Sequence, residues 1–389
     1  MMNLNPDLPK KRRSPVLPLL ILSLSIIALF IPWHRLFKQN NETNQKESNL
    51  ALATKYYQRR QFQELFRLSG SIDPKSESTP EIYSLSARAL IELGNIRDAR
   101  KALERSLDLK IEQPEPLGIL AALYLASGES QKGLALLQLV AKLDPANYKP
   151  WLAMGKVYQD MGELKDAAKS YGEALSRNPP DDDKLQATAG QIQSLLDDNQ
   201  TNDARDLVEK ALQQGISTAL VFGQAALVFQ ESGDSEKASE LAGKAIELDP
   251  EEPNALLAQA RLALLKNNAH DAENYLTRAN RAKPNQQPVL QLLMQAQARQ
   301  GKTREAEQTK AEFQKLSARI IKMDKLTQEI NARPEDAELR FQLGLLALEG
   351  NMQVLAEQCF KASLDINPDF GPARMMLEKM KQAQPATQP

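Results

Sequence analysis

The sequence contains few of the side chains that carry catalytic chemistry. Its 389 residues include two histidines and one cysteine, and neither His34 nor His270 has other metal ligands at a suitable spacing. No glycine-rich phosphate loop, nucleophile elbow or metalloprotease motif occurs in it. Cys359 has no second cysteine for a disulfide or a CxxC motif, and we expect it to be a small buried side chain. We therefore predict no catalytic residue, no cofactor and no metal site, and we do not expect an enzyme.

The sequence also lacks an excess of positive charge. Residues 39–389 carry 43 Lys and Arg against 49 Asp and Glu. A mildly acidic chain lacks the basic stripe that phosphate contacts require, so nucleic acid is excluded as a partner. Three consecutive aspartates, Asp181–Asp183, have a hard cation as one alternative, but we predict a solvated loop there.

Glycine and asparagine recur at a fixed step. Gly94, Gly128 and Gly162 are 34 residues apart, and a three-residue insertion follows around Asp181–Asp183. The step of 34 then resumes with Asn199, Gly233, Asn267 and Gly301. These residues most readily adopt the left-handed conformation that ends a helix. A small residue keeps the same step in the segments that follow the turns: Ala99, Gly133, Ala167, Ala204, Ala238, Ala272 and Ala306. The pattern predicts pairs of closely packed helices joined by tight turns.

The most regular copy runs from Trp151 to Pro179. It has the following residues at the offsets of a 34-residue signature: Trp151, Met154-Gly155, Tyr158, Ala167, Tyr171 and Pro179. In this the chain resembles the tetratricopeptide repeat family, with Met in place of Leu and Tyr in place of Phe. The resemblance covers residues 80–370 in about eight copies. It implies an all-α fold, a right-handed superhelical α-solenoid of helix pairs in which each copy packs on its neighbours.

An apolar run precedes the repeats. Residues 15–33 contain no charged side chain and follow a basic stretch at residues 10–13. A helix of roughly 17–25 apolar residues crosses a bilayer, so we predict one N-terminal transmembrane helix. A cleaved signal peptide is the alternative, but its apolar region is usually about 7–15 residues long. The basic stretch before the run predicts a single-pass membrane protein with a cytoplasmic N-terminus and extracytoplasmic repeats, which would be periplasmic in a bacterium.

The chain divides into segments at these signals. In order we predict a basic cytoplasmic N-terminus (1–14), the transmembrane helix (15–33), a polar tether (34–48), a degenerate capping helix pair (49–79), three regular copies (80–181), four further copies (185–320), a last copy (337–370), an end helix (371–382) and a disordered tail (383–389). No Gly or Pro occurs from Lys302 to Arg333, so we expect the second helix of the seventh copy to extend to about residue 331.

The extension carries an apolar stripe over residues 316–330. Its members are Leu316, Ile320, Met323, Leu326 and Ile330. The stripe packs on the last copy or offers a partner or dimer surface, and we favour packing.

In the family, the first helices of the copies line a concave groove that meets the ligand. The resemblance places the following residues in that groove: Arg88, Ile91, Leu125, Leu152, Lys156, Gln159, Gln193, Leu196, Leu227, Gln230, Leu257, Arg261 and Leu264. Gly118 and Gly223 are expected to leave room in it. The mixture of apolar side chains, cations and amides suits an extended or helical peptide with a few acidic groups. An ordinary solvated face is the alternative.

These features predict a membrane-anchored, non-enzymatic scaffold for protein or peptide partners. We expect it to act in the assembly or maintenance of a cell-envelope complex. Two alternatives stay open: a holdase-like chaperone for secreted proteins, and an accessory subunit of a membrane maturation or export enzyme system. The oligomeric state does not follow from the sequence.

Overall fold

The computed structural model describes residues 48–73 and 79–383, and these form nineteen α-helices and no β-strand. Two short helices come first, α1 (Asn49–Gln58) and α2 (Phe62–Ser71). Copies one to three are the pairs α3 (Thr79–Glu92) and α4 (Ile96–Leu109), α5 (Pro114–Ala126) and α6 (Ser130–Leu143), and α7 (Lys149–Met161) and α8 (Leu164–Leu175).

The remaining helices continue the same alternation. Copies four to seven are α9 (Asp181–Asp197) and α10 (Thr201–Gln213), α11 (Ala219–Glu231) and α12 (Ser235–Leu248), α13 (Pro253–Leu265) and α14 (Ala269–Ala282), and α15 (Gln287–Arg299) and α16 (Thr303–Ala332). The last copy is α17 (Ala337–Glu349) and α18 (Gln353–Ile366), and α19 (Gly371–Ala383) follows it.

The predicted transmembrane helix at residues 15–33 lies outside the described residues, as do the N-terminus before it, residues 34–47 of the tether and residues 384–389 of the tail. None of the helices that the structure describes is long and apolar enough to cross a membrane.

The turns between paired helices have the predicted backbone conformation. All seven turn residues have positive φ angles, from 57° at Asn267 to 84° at Gly233. In three copies the next residue caps the second helix, because a side-chain oxygen of Asn95, Asp234 or Asn268 accepts a hydrogen bond from a backbone N–H three residues on. The predicted turn chemistry is confirmed, and it sets the angle at which each helix pair folds back.

Small side chains lie where paired helices approach most closely. Ala167, Ala204 and Ala238 have no exposed surface. At Gly133 an added Cβ would lie 2.5 Å from the Cγ atom of Leu125 on the partner helix. Larger side chains at these positions would force the helices apart, so the 34-residue step of small residues is a packing requirement.

The prediction of a solvated loop at Asp181–Asp183 is wrong. These aspartates form the first turn of α9, which has 17 residues where other first helices of the array have 13 or 14. Carboxylates are favourable there because the first turn of a helix carries partial positive charge. Asp183 also accepts a hydrogen bond from the Tyr148 hydroxyl at 2.6 Å. The inserted residues therefore lengthen a helix.

The C-terminal helices form a separate apolar cluster. The sequence predicts an extended helix here, and α16 runs for 30 residues, about 45 Å at 1.5 Å per residue. Met323 and Ile330 are buried with Leu339 and Leu343 of the last copy. The favoured interpretation of the stripe is confirmed for these residues, since they pack on the last copy.

Candidate partner-binding groove

The first helices of the copies lie on the inner side of the array. In the middle of the chain, α7 contacts α9, α9 contacts α11, and α11 contacts α13. Consecutive second helices make at most marginal contact within the described residues. A stack of helix pairs that is closer together along one side curves toward that side. The first helices therefore line the concave surface.

Five of the predicted groove residues belong to the core instead of the surface. They are between 1% and 7% exposed: Leu125, Leu152, Leu227, Leu257 and Leu264. Four of them pack within the two large apolar clusters of the array, and Leu152 packs beside Tyr171. The expectation of an apolar groove wall is therefore corrected. Because consecutive first helices approach one another directly, their inward leucines fill the seam between them.

Two further apolar residues of the predicted groove lie at the border of the core. Ile91 and Leu196 are half-buried and pack against these clusters. They leave only part of each side chain on the inner surface.

The arginines of the predicted groove are neutralised by the chain itself. Arg88 lies 2.8 Å from Glu115 on the first helix of the next copy, and its guanidinium sits 5.7 Å from the centre of the Tyr57 ring. Arg261 lies 2.9 Å from Glu231 on the first helix of the preceding copy. Lys156 differs from both, since it is half-buried and forms no ion pair with another described residue.

Two of the three amides of the predicted groove connect neighbouring helices, and the third bonds within its own helix. Gln159 accepts a hydrogen bond from the Tyr171 hydroxyl at 2.9 Å, and Gln193 donates to Asp197 at 3.1 Å. Gln230 donates to the backbone carbonyl of Ala258 at 3.2 Å, while its own Oε1 atom has no partner among the described residues. All three glutamines are half-buried. They keep polar atoms on the inner side.

The space beside Gly223 is filled by a carboxylate. A Cβ added at Gly223 would collide with the side chain of Glu252, whose Cδ atom would be 2.6 Å away. Glu252 is 3% exposed and accepts a hydrogen bond from the N–H of Ala255 at the start of α13. Burial raises the pKa of Glu252 to about 7, and the hydrogen bonds oppose the shift. Gly223 therefore accommodates a helix cap, not a ligand.

Sequence reasoning missed Asp160, one turn beyond Lys156 on α7. Its side chain is 7% exposed, and its Oδ2 atom has no hydrogen-bond partner among the described residues. Burial raises the pKa of Asp160 to about 8, against the opposing charge of Lys156. The only sequence signal was an acidic residue in the last turn of a helix, where the helix dipole disfavours a negative charge. Lys156 and Gln159 make the middle of the inner surface polar, and Asp160 and the Tyr171 hydroxyl lie buried beneath it.

His270 and Cys359, for which the sequence predicts no catalytic or metal-binding role, lie on the second helices of two copies. His270 is exposed in the first turn of α14. Cys359 is 1% exposed, and burial raises the pKa of its thiol. Within the residues that the structure describes, no three His, Cys, Asp or Glu side chains lie together as metal ligands would.

Comparison with known proteins identifies the repeats. Three segments, residues 85–148, 152–218 and 224–286, match the family model of the tetratricopeptide repeat. Cellulose synthase operon protein C of Pseudomonas fluorescens (strain SBW25) is 28% identical over 207 residues, which are 51% of this chain and 16% of that protein. The match therefore spans a small part of that relative's length.

Solved structures resemble parts of this chain at low identity. YrrB, described as a TPR protein with an unusual peptide-binding site, is 18% identical, with 49% of this chain and 97% of that chain covered and a TM-score of 0.39. PilF of Pseudomonas aeruginosa is 16% identical, with 55% and 95% covered and a TM-score of 0.42. These likenesses carry no functional argument. The turn geometry, the packing positions and the three matching segments agree, and residues 85–286 belong to the tetratricopeptide repeat family.

Proposed function

We propose that the protein is a non-enzymatic scaffold whose concave surface binds a protein or peptide partner. The observation that carries the proposal is the polar inner surface of α7 and α9, where Lys156, Gln159 and Gln193 are half-buried on helices that line the inside of the curve. A half-buried cation and amides on a rigid repeat scaffold lose little entropy when they form hydrogen bonds to a partner.

The charges of this surface favour one kind of partner segment. Lys156 is available for a carboxylate, whereas Arg88 and Arg261 are engaged with Glu115 and Glu231. Amide side chains such as Gln193 hydrogen-bond the backbone of an extended chain. We therefore propose an extended partner segment with an acidic side chain near Lys156. The holdase-like alternative loses support, because the leucines that would bind unfolded apolar segments are in the core.

We further propose that the apolar run at residues 15–33 anchors the scaffold in a membrane with the repeats on the extracytoplasmic side. The length of the run and the basic residues 10–13 before it support this topology. The scaffold would then serve the assembly or maintenance of a cell-envelope complex.

An accessory subunit of a membrane export system is the second candidate. The similarity to cellulose synthase operon protein C over 207 residues favours it, and the name of that relative points to polysaccharide synthesis. Such a subunit would have one stable, stoichiometric partner in the membrane.

Site-specific crosslinking tests the binding surface. A photo-crosslinking amino acid in place of Lys156 should capture one or two discrete partners from solubilised membranes. The same amino acid in place of Lys169, exposed on the second helix of the same copy, is the matched control. Equal capture at both positions, or a smear of unrelated exported proteins at Lys156, would contradict the proposal. A captured membrane synthase or exporter subunit would favour the second candidate.

Cysteine labelling tests the topology. Cys359 is buried, so a Lys169→Cys variant presents one accessible thiol. We expect a membrane-impermeant maleimide to label it in intact cells. Labelling only after lysis would place the repeats in the cytoplasm.

A further inference from the structure

The last copy makes a contact with copy two that no regular repeat interaction explains. The Nε and Nη2 atoms of Arg340 on α17 donate to the backbone carbonyl of Ser127 at 2.9 and 2.7 Å, across 213 residues of sequence. Nη1 of Arg340 donates to the carbonyl of Pro334. Arg340 is 3% exposed. The contact is therefore shielded from water.

Neighbouring residues extend this contact to the inter-helix turns of both copy one and copy two. The Cγ2 atom of Ile330 would lie 3.9 Å from a Cβ atom at Gly128, in the turn of copy two. Helix α18 reaches α4 of copy one. A cavity of about 330 Å³ remains between the turn of copy one and the end of α18, lined on the two sides by Asn95 and Asp365 among others. The last copy thus rests on the edge of copies one and two.

The opposite end of the last copy is tied to the loop between copies six and seven. The Asn285 amide donates to the carbonyl of Gly350 at 3.1 Å. Arg319 of α16 donates to the Asn285 side chain at 2.8 Å and to the carbonyl of Glu349 at 3.4 Å. The last copy therefore bridges two parts of the array that are far apart in sequence, and the length of α16 brings it there.

The receiving edge is held in place by its own charges. Arg100 donates to Glu129 and to the Ser127 hydroxyl, both at 3.0 Å, and Lys132 donates to Glu129 at 2.6 Å. The Glu129 side chain is 5% exposed. This network orients the Ser127 carbonyl before the last copy arrives, so little order is lost on contact.

The two kinds of contact in the array differ in strength. Neighbouring regular copies share continuous apolar clusters. The closing contact combines a small apolar contact at Ile330 with one buried guanidinium that forms no ion pair with a described residue. Burial lowers the pKa of Arg340. The free-energy cost of removing the Arg340 guanidinium from water offsets most of the stabilisation that its hydrogen bonds provide. The arrangement in which the last copy contacts copies one and two is therefore favoured only slightly.

We propose that the last copy is a releasable clasp that closes the array by binding the edge of copies one and two through Arg340. When the clasp is released, the C-terminal part of α16 and the last copy move away from copies one and two as one unit, and the end of the concave surface opens. An extended partner would enter the groove in the open form. The clasp itself is independent of the proposed scaffold function, and only its role in partner entry rests on that function.

Distance measurements on the full-length chain test the clasp without any partner. Spin labels at Gln131→Cys on copy two and Gln342→Cys on the last copy use two exposed positions, while the buried Cys359 stays unlabelled. Electron–electron double resonance should give one narrow, short distance. In the Arg340→Gln background we expect at least half of the molecules to move to a longer, broader distance.

Arg374→Gln is the matched control, because Arg374 donates to the carbonyl of Pro368 within the C-terminal region and does not reach copy two. The proposal is overturned if the unsubstituted protein lacks the short distance, if Arg340→Gln leaves it unchanged, or if Arg374→Gln lengthens it equally. If Arg340→Gln unfolds the last copy, the same distance measurement in the Arg100→Gln background tests the clasp instead. That substitution loosens the Ser127 turn from the other side, and unchanged distances there would also overturn the clasp.

Discussion

Copy three and the last copy carry the same residue pattern and can be compared position by position. The glycine of the first helix is Gly155 in one and Gly344 in the other, and the ring of the second helix is Tyr171 or Phe360. In both, the ring packs against the glycine. The local design of a helix pair is therefore the same in the middle of the array and at its end.

The surroundings of the two copies differ. In copy three the Tyr171 ring is enclosed on its second side by Gly190 of copy four, and its hydroxyl bonds to Gln159. In the last copy the centroids of the Phe360 and Phe341 rings are 5.5 Å apart, and α19 is the only helix that follows among the described residues. A middle copy is thus packed between regular copies on both sides, whereas the last copy has a regular copy on one side.

One position of the pattern separates the copies further. Where copy three has Trp151, with the Arg177 guanidinium 4.8 Å from its ring centre, the last copy has Arg340. The tryptophan packs beside Arg177 and against the apolar clusters that its copy shares with adjacent copies, whereas the arginine reaches the Ser127 carbonyl. A single replacement in a repeat signature converts a local packing position into a long-range contact.

The largest expected effect comes from removing the two rings. Tyr171→Ala and Phe360→Ala should each destabilise the local structure by ~3–5 kcal/mol, since both rings are buried. Hydrogen exchange should show the Tyr171→Ala effect in both copy three and copy four. The Phe360→Ala effect should stay in the C-terminal helices. Faster exchange of α7–α9 in Phe360→Ala would contradict this difference between middle and end.

A pH-dependent effect on stability is expected from Asp160, whose exposed counterpart in the last copy is Glu349. The folded-state pKa of Asp160 is about 8, and that of an unfolded aspartate is about 3.9. Between these values the folded state holds a proton that the unfolded state has lost. Stability therefore falls as pH rises through this window, by at most about 1.4 kcal/mol per pH unit, and levels off above it.

Asp160→Asn removes the pH-dependent loss of stability. The stability of this variant relative to the unsubstituted protein should therefore grow from pH 5 to pH 9. Chemical denaturation at several pH values measures it. Glu349→Gln, which removes an exposed carboxylate at the same position of the last copy, is the matched control. A constant difference between Asp160→Asn and the parent protein at all pH values would show that the carboxyl is not buried as described.

A smaller effect is expected from adding one methyl group beside each ring. At Gly155→Ala the new Cβ would lie 2.7 Å from the Tyr171 ring, and at Gly344→Ala it would lie 2.5 Å from the Phe360 ring. Overpacking of this kind costs ~1–3 kcal/mol. We expect the larger loss of stability from Gly155→Ala, because Gly190 prevents the Tyr171 ring from moving away from the new methyl group. Thermal denaturation measures both, and a larger loss at Gly344 would reverse the interpretation.

The smallest effect should come from exposed ion pairs next to the last copy. Arg333 lies 3.1 Å from both Glu329 and Asp336, and its side chain is 57% exposed. Exposed pairs contribute less than about 1 kcal/mol, so Arg333→Gln should lower stability by no more than that and leave the closing contact intact. A loss as large as that of Phe360→Ala would show that these pairs hold the copy in place.

The periodic part of the structure follows from the sequence, because its determinants repeat. Gly94 and Asn199 need a left-handed backbone, and Ala167 and Ala204 need a close helix approach, so each copy supplies independent evidence for the same helix pair. The turns and the packing positions are therefore predictable from one chain.

The errors arise where burial depends on neighbouring copies. Leu152 and Leu257 occupy positions on the inner side, and only the direct contact between first helices removes them from the surface. Asp181–Asp183 look like a loop until the helix dipole is considered. The bond from Arg340 to Ser127 has no periodic signal at all, since it joins non-neighbouring copies. Membrane insertion of residues 15–33 stays a prediction.

The closing bond has a consequence for how the array can evolve. Open solenoids tolerate duplication or loss of a unit, because each unit meets only its neighbours. Here one unit more or less would displace Arg340 from Ser127 by about the 8–10 Å between packed helices or further, beyond the reach of a hydrogen bond. The contact between Arg340 and Ser127 can therefore form only at one number of repeats. An array of repeats that is closed in this way has a fixed length.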